Sequence, residues 1–112
     1  MNSRISGSLL DVEPAFEELI VHTQDTLLGR FRRVVSRLEA RVDRAEGSRL
    51  SACEVALDLE GGVRIYGRHR DSEPERAVYK AFARAASALR RHLGKRRRRL
   101  PIGAGRAVPA QA

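Results

Sequence analysis

The sequence predicts a two-layer α+β domain with element order β-α-β-β-β-α, in which a four-stranded mixed sheet packs two helices on one face. Apolar residues recur at helical spacing in two segments, over residues 14–31 and 72–93. Between them, three runs alternate apolar and polar residues, which is typical of strands with one wet face. With 112 residues, 42% of them hydrophobic, the chain is long enough for one such domain.

The first strand and helix are predicted near the start of the chain. Residues 4–7 are a short candidate strand with Ile5 as its clear core residue, and residues 8–13 lead into the helix. Pro14 suits the first helical turn, where the missing backbone N–H costs nothing. Gly29 stands near the helix end. The apolar face comprises Phe16, Leu19, Ile20, Leu27 and Phe31, with Thr23 and Gln24 as a weaker middle turn.

Three strands are predicted over residues 34–44, 51–59 and 63–70. The adjacent Gly61 and Gly62 predict a tight hairpin between the last two, because such turns need positive φ angles. The residues expected to face the core are Leu38, Ala40, Val42, Cys53, Val55, Leu57, Leu59, Val63, Ile65 and Gly67. The opposite face of the sheet mixes charges of both signs, and we expect it to be solvated.

The last helix is predicted from residue 72, where Ser72 and Glu75 have the spacing of a capping box. Residues 76–112 contain eleven Lys or Arg and no Asp or Glu, whereas residues 1–75 contain eleven basic and fourteen acidic residues. The local charges of +11 and −3 together make the net charge of +8. Positive charge is therefore confined to one terminal element, which indicates a polyanionic partner.

We expect basic side chains of this element to contact RNA phosphates. The predicted contact residues are Arg76, Lys80, Arg84, Arg90, Arg91, Lys95, Arg96, Arg97, Arg98 and Arg99, with Arg30, Arg32 and Arg33 as a secondary set. Two alternatives remain: the helix stripe is merely a solvated charged face, and the run from Lys95 is a solubilising tail. The dominance of arginine indicates either selection for bidentate phosphate contacts or an arginine-rich genome.

Other functional classes find little support. One cysteine, Cys53, excludes an internal disulfide and fits a reducing compartment. His22, His69 and His92 lack metal-ligand spacing. With no catalytic constellation, we expect a protein that is not an enzyme and needs no metal or cofactor.

No apolar run approaches the ~20 residues of a membrane span, and the first residues lack a signal-peptide core. We therefore expect a cytoplasmic protein without a membrane partner, organised as a domain over residues 1–99 and a disordered tail over residues 100–112.

Several motifs occur in an order that resembles a known family. They are Pro14-Ala15-Phe16 at the first helix, Arg32-Arg33-Val34 before the second strand, Glu60-Gly61-Gly62-Val63 at the hairpin, Asp71 followed by Val78-Tyr79-Lys80-Ala81-Phe82, and Leu89 with Leu93 in the basic helix. Together, over about residues 4–96, they resemble the ribosome hibernation-promoting factors, a family that includes protein Y, the ribosome-associated inhibitors and the sigma-54 modulation proteins.

Because the chain ends soon after the second helix, without the C-terminal domain by which long forms pair ribosomes, we expect a short form of the family or a divergent paralogue. The resemblance implies binding to the small ribosomal subunit and its rRNA between head and body, across the tRNA and mRNA paths, so that translation is silenced when growth stops. We expect the unbound protein to be a monomer. Members commonly carry lysines in the middle of the first helix, where this chain has Thr23, Gln24 and Thr26, so we expect a neutral to acidic surface there.

Two other functions remain open at this point. The first is a general RNA- or DNA-binding module on the same scaffold, without ribosome specificity. The second is an interaction protein that pairs through the open sheet face, where only Ala56 and Tyr66 are apolar. Tyr66 lies there among arginines, and it either stacks on a base or packs on the protein's own surface.

Overall fold

The computed structural model describes residues 1–44 and 47–103, with side chains as far as Lys95. The elements are β1 (Asn2–Ser6), α1 (Ser8–Val12), α2 (Phe16–Leu28), β2 (Val35–Arg44), β3 (Ser51–Leu59), β4 (Arg64–Asp71) and α3 (Pro74–Gly103), with one 3-10 turn (Gly29–Phe31) after α2. The predicted α+β class and the order of the main elements are confirmed. Residues 8–13 were expected only to lead into the first helix, but Ser8–Val12 form a short helix of their own.

The sheet is mixed and has the strand order β1-β2-β3-β4. β1 pairs in parallel with β2, while β3 runs antiparallel to both of its neighbours. Gly7 follows β1 rather than ending it, with φ +126°. A Cβ atom at Gly7 would lie 2.1 Å from the Val42 carbonyl oxygen, so the turn out of β1 accepts only glycine.

The core lies between the inner face of the sheet and the helices. The inward residues predicted for β2 and β3 are all buried, and so are Ile20, Phe82 and Leu89 from the helices. Each fully buried Val, Leu, Ile or Phe side chain among them contributes about 1.5–3 kcal/mol through burial. In the last strand, Val63 was predicted to face the core, but 37% of its surface is exposed. It lies in the turn before β4, so the predicted alternation was extended one residue too far.

α3 begins two residues after Ser72, and the predicted capping box is therefore wrong. The helix starts at Pro74, and the Glu73 carbonyl accepts the backbone N–H groups of Arg76 and Ala77 at 3.1 and 3.0 Å. The approach is fixed by Asp71, whose carboxylate accepts the Glu73 N–H at 3.0 Å. This hydrogen bond lowers the pKa of Asp71, and the nearby His69 and Arg76 add to the effect.

The helix is continuous through Gly94 and ends at Gly103. It thus passes the residue at which the disordered tail was expected to begin. The remainder of that predicted tail, residues 104–112, lies outside the described residues.

Asp43 ties α1 to the sheet. One carboxylate oxygen accepts the Ser8 N–H at 2.8 Å, and the other accepts Arg41 Nε at 2.7 Å. In return, Ser8 Oγ accepts the Arg44 N–H at 3.1 Å. Burial acts to raise the pKa of Asp43, but the hydrogen bonds from Ser8 and Arg41 outweigh it and leave the pKa below its ordinary value.

We expect Asp43→Ala to lower the free energy of unfolding by about 1 kcal/mol, since the carboxylate is partly exposed and screened. Because the folded-state pKa is lowered, this stabilisation is present above about pH 4 and is lost as the pH falls through the folded-state pKa. Urea unfolding at pH 7 and at stepwise lower pH measures both effects. Asp25→Ala, at an exposed position of α2, is the control. A deficit for Asp43→Ala that does not shrink as the pH is lowered below about 4 contradicts the assignment.

Candidate nucleic-acid interface

The predicted basic residues of α3 lie on its solvent side. Side chains are described for Arg76, Lys80, Arg84, Arg90, Arg91 and Lys95, and all six are exposed. The side chains of Arg96, Arg97, Arg98 and Arg99 lie outside the described residues. Helical spacing aligns four residues, which we call the basic flank: Lys80, Arg84, Arg91 and Lys95. At 1.5 Å per residue the basic flank is about 22 Å long.

Arg76 is set apart from the basic flank by carboxylates. Its Nη2 lies 3.2 Å from Glu73 Oε2, and its Nε lies 3.8 Å from Asp71 Oδ2. These ion pairs offset part of its charge at the start of the helix. Arg76 is therefore the least available of the six cations for a phosphate.

Arg84 fixes the basic flank against the sheet. Its Nη1 donates to the Arg68 carbonyl oxygen at 2.7 Å. Arg68 belongs to β4, an edge strand, so the bond occupies an acceptor that the sheet leaves unpaired. Since a carbonyl is neutral, Arg84 keeps its charge while it is held in place.

Three further cations of the basic flank have side chains that the structure describes. Within the described part of the chain, none of Lys80, Arg91 and Lys95 forms an ion pair. Three free cations and the tethered Arg84 therefore lie along one rigid helix. This arrangement can hold a row of phosphates, and it offers no acid or base for catalysis.

Arg90 lies on the other flank of α3, beside the 3-10 turn. There it lines a cleft of about 400 Å³ with Arg30, Phe31, Leu93 and Gly94. The fold thus brings Arg30, from the secondary set, to the basic helix. Arg33 is exposed elsewhere, and Arg32 Nε donates to the Gly29 carbonyl at 3.3 Å within its own turn. The sequence analysis did not predict the cleft. The one feature of the sequence that points to it is Gly94, a glycine inside an amphipathic helix.

The open sheet face, which points away from the helices, is covered by ion pairs. Arg64 lies 2.7 Å from Glu39 and 2.8 Å from Asp58. A third pair joins Arg68 to Glu54. This arrangement agrees with the expectation of a solvated face of mixed charge, and the neighbouring carboxylates make it a poor surface for phosphate.

Tyr66 packs among these arginines. The guanidinium carbons of Arg64 and Arg68 lie over its ring, 5.6 and 4.9 Å from the ring centre. Ala56, its partner across the strands, is only 7% exposed. Among the described residues of the open sheet face, apolar surface is therefore limited to part of the Tyr66 ring and the half-buried Ala52, too little for pairing two molecules.

The exposed side of α2 is acidic. Glu17, Glu18 and Asp25 lie on its surface. Thr23 and Gln24 are both only 7% exposed, which confirms them as the middle turn of the apolar face; the surface position that the family resemblance implied for them is wrong. Thr23 Oγ1 donates to the Leu19 carbonyl at 2.8 Å, which satisfies the hydroxyl inside the helix. Only Thr26, of the three predicted polar positions, is exposed.

Cys53 is a core residue, as predicted. It is 2% exposed, and burial raises the pKa of its thiol to about 12, which makes it a poor nucleophile. The described residues hold no group of three His, Cys, Asp or Glu side chains placed for a metal ion. Among the described helices, none has the length and apolar character needed to span a membrane.

Comparison with known proteins decides the family. The family model described as "Sigma 54 modulation protein / S30EA ribosomal protein" matches residues 3–99. The chain belongs to this family. The resemblance seen in the motifs is confirmed, and membership of the family supports a ribosome-associated, non-enzymatic role. No curated protein sequence matches the chain.

Two solved structures share the fold. A ribosomal subunit interface protein from Coxiella burnetii is 16% identical with a TM-score of 0.68, and the match covers 84% of this chain and 99% of that one. The N-terminal domain of Protein Y from Thermus thermophilus is 19% identical with a TM-score of 0.67, over 82% of this chain and 99% of that one. The family architecture is thus retained at low sequence identity.

Proposed function

We propose that this member of the family binds the small ribosomal subunit through α3 and silences translation by occupying the tRNA and mRNA paths when growth stops. The observation that carries the proposal is the basic flank, with its unpaired Lys80, Arg91 and Lys95 on one rigid helix. Family membership supports the ribosome as the partner. Such a role would place the protein in the cytoplasm.

The basic flank suits rRNA for a physical reason. Cations contacting phosphates release condensed counterions, which gives affinity without reading sequence. Specificity would then come from the shape of a structured RNA surface. A helix that is held to the sheet by Arg84 presents its charges in a fixed row, so a matching row of phosphates is favoured over a flexible polyanion.

One observation favours the alternative of a general RNA- or DNA-binding module. The exposed side of α2 carries Glu17, Glu18 and Asp25, so the basic surface is limited to α3 and its neighbouring turn. A smaller basic surface makes fewer shape-specific contacts with a ribosomal cleft. Competition of purified 30S subunits against duplex RNA and duplex DNA separates the two functions, since a general binder shows equal affinities for all three.

The proposal is tested with the full chain and purified ribosomal subunits. We expect co-sedimentation with 30S and 70S particles, but not with isolated 50S, and inhibition of a purified translation system by equimolar protein. Light scattering of the free protein should give a monomer, because the ion-paired open sheet face lacks an apolar patch. Absence of the protein from the 30S fraction at low salt would refute small-subunit binding.

A further inference from the structure

The cleft between the 3-10 turn and the far flank of α3 has an apolar floor. Phe31 and Leu93 are both half-buried and pack against the hydrophobic core. Their exposed parts form the base of a space of about 400 Å³, which is within the range of about 300–1,000 Å³ typical of small-ligand sites. The floor suits a flat apolar ring.

The rim of the cleft is cationic. Arg30 and Arg90 are exposed, and neither takes part in an ion pair within the described part of the chain. The Arg30 guanidinium carbon lies over the Phe31 ring, 5.3 Å from its centre. One cation thus already lies over the aromatic ring, where a stacking base would replace it and move it to the rim, and a second lines the same space from α3. Together they favour an occupant that carries negative charge.

Gly94 keeps the cleft open. A Cβ atom built there meets no atom within 4 Å, so the space above this residue is empty. Glycine is among the residues least suited to a helix interior, and no close packing explains it here. A glycine at position 94 makes sense if a ligand occupies the volume that a larger side chain would fill.

We propose that this cleft binds one unpaired nucleotide of RNA, with its base against Phe31 and Leu93 and its phosphate between Arg30 and Arg90. A nucleotide combines the flat ring and the negative charge that the cleft demands. Duplex RNA cannot supply an unpaired base, because the bases of a duplex are stacked inside the double helix. The site extends the proposed function, on which it rests, by giving α3 a contact with a single-stranded or bulged nucleotide beside the phosphate row.

The test measures binding of a fluorescent single-stranded RNA and of a duplex of the same sequence to the full chain. Gly94→Leu fills the cleft and should weaken single-strand binding about tenfold while duplex binding stays within twofold. Ser87→Leu, which adds the same side chain two turns earlier on α3, is the control and should change neither. Thermal melts confirm that both variants fold.

A charge-matched pair keeps the test decisive if Gly94→Leu is unstable. Arg90→Gln and Arg91→Gln remove the same charge from neighbouring positions on different flanks of α3. We expect Arg90→Gln to weaken single-strand binding selectively, and Arg91→Gln to weaken single-strand and duplex binding alike. Equal profiles for the two variants overturn the proposed site.

Failure of this site is distinguishable from failure of the proposed function. If Gly94→Leu and Arg90→Gln bind single strands normally while the wild type still sediments with 30S subunits, only the nucleotide site is wrong. If the wild type prefers single strands through the cleft but never sediments with subunits, only the ribosomal role is wrong.

Discussion

Gly67→Ala is expected to lower the free energy of unfolding by at least about 3 kcal/mol, the upper end of what overpacking usually costs. A Cβ atom at Gly67 would lie 2.1 Å from the Ala81 carbonyl oxygen and 2.5 Å from the Ala85 backbone nitrogen. Both are main-chain atoms of α3, so rotation of a side chain cannot relieve the contact. The whole helix would have to move away from β4.

Gly94→Ala on the same helix is the matched control. It adds the same methyl group where no atom lies within 4 Å, and it should raise the free energy of unfolding by up to about 1 kcal/mol through helix propensity. Urea unfolding followed by circular dichroism measures both variants. A Gly67→Ala protein within about 1 kcal/mol of wild type would show that α3 does not approach the sheet this closely.

The consequence of this contact reaches the basic flank. Gly67 is one residue before Arg68, whose carbonyl holds Arg84 at 2.7 Å. A helix displaced from Gly67 also loses that hydrogen bond, and with it the fixed row of cations. In any Gly67→Ala protein that still folds, RNA affinity should therefore fall although no charge has been removed.

The fold could be predicted because hydrophobic periodicity is a local property. Period-two alternation gave the inward residues of β2 and β3, and helical spacing gave the buried side of α3. The errors are local too. At Val63 the alternation continued into a turn, and at Ser72 a short motif matched a capping box although Asp71 and Glu73 make the bonds that start the helix.

The candidate site was predictable in charge but not in geometry. The sequence shows that α3 is basic. It does not show which residues each of its cations contacts, because those residues are far away in the chain. Arg84 bonds a carbonyl sixteen residues away, and Arg30 shares a cleft with Arg90 although the two are sixty residues apart. Similarly, alternation placed Gly67 on the inner face of β4, but only packing shows that a helix backbone lies against it. Such contacts depend on how elements pack, which no local pattern records.

Replacing Lys80, Arg91 and Lys95 together by glutamine should weaken binding to rRNA about 100-fold at 100 mM salt. Each phosphate contact contributes roughly 0.7–0.9 to the slope of log affinity against log salt. The triple variant should therefore have a slope shallower by about 2–3 than the wild type. The wild type, with six or more contacts, should lose roughly 10³ in affinity between 50 and 200 mM salt. All three side chains are exposed and make no ion pair within the described chain, so the fold should be unaffected.

The matched control removes the same charge elsewhere. Arg4, Arg37 and Arg44 are exposed on β1 and β2, and their replacement by glutamine also lowers the net charge from +8 to +5. If the basic flank contacts phosphate directly, the control keeps a slope within about one unit of the wild type, because it gives up only long-range attraction. Parallel salt plots for the two triple variants would mean that RNA responds to the total charge of the domain. In that case the row of cations on α3 would have no special role, and the proposed docking surface would have to be abandoned.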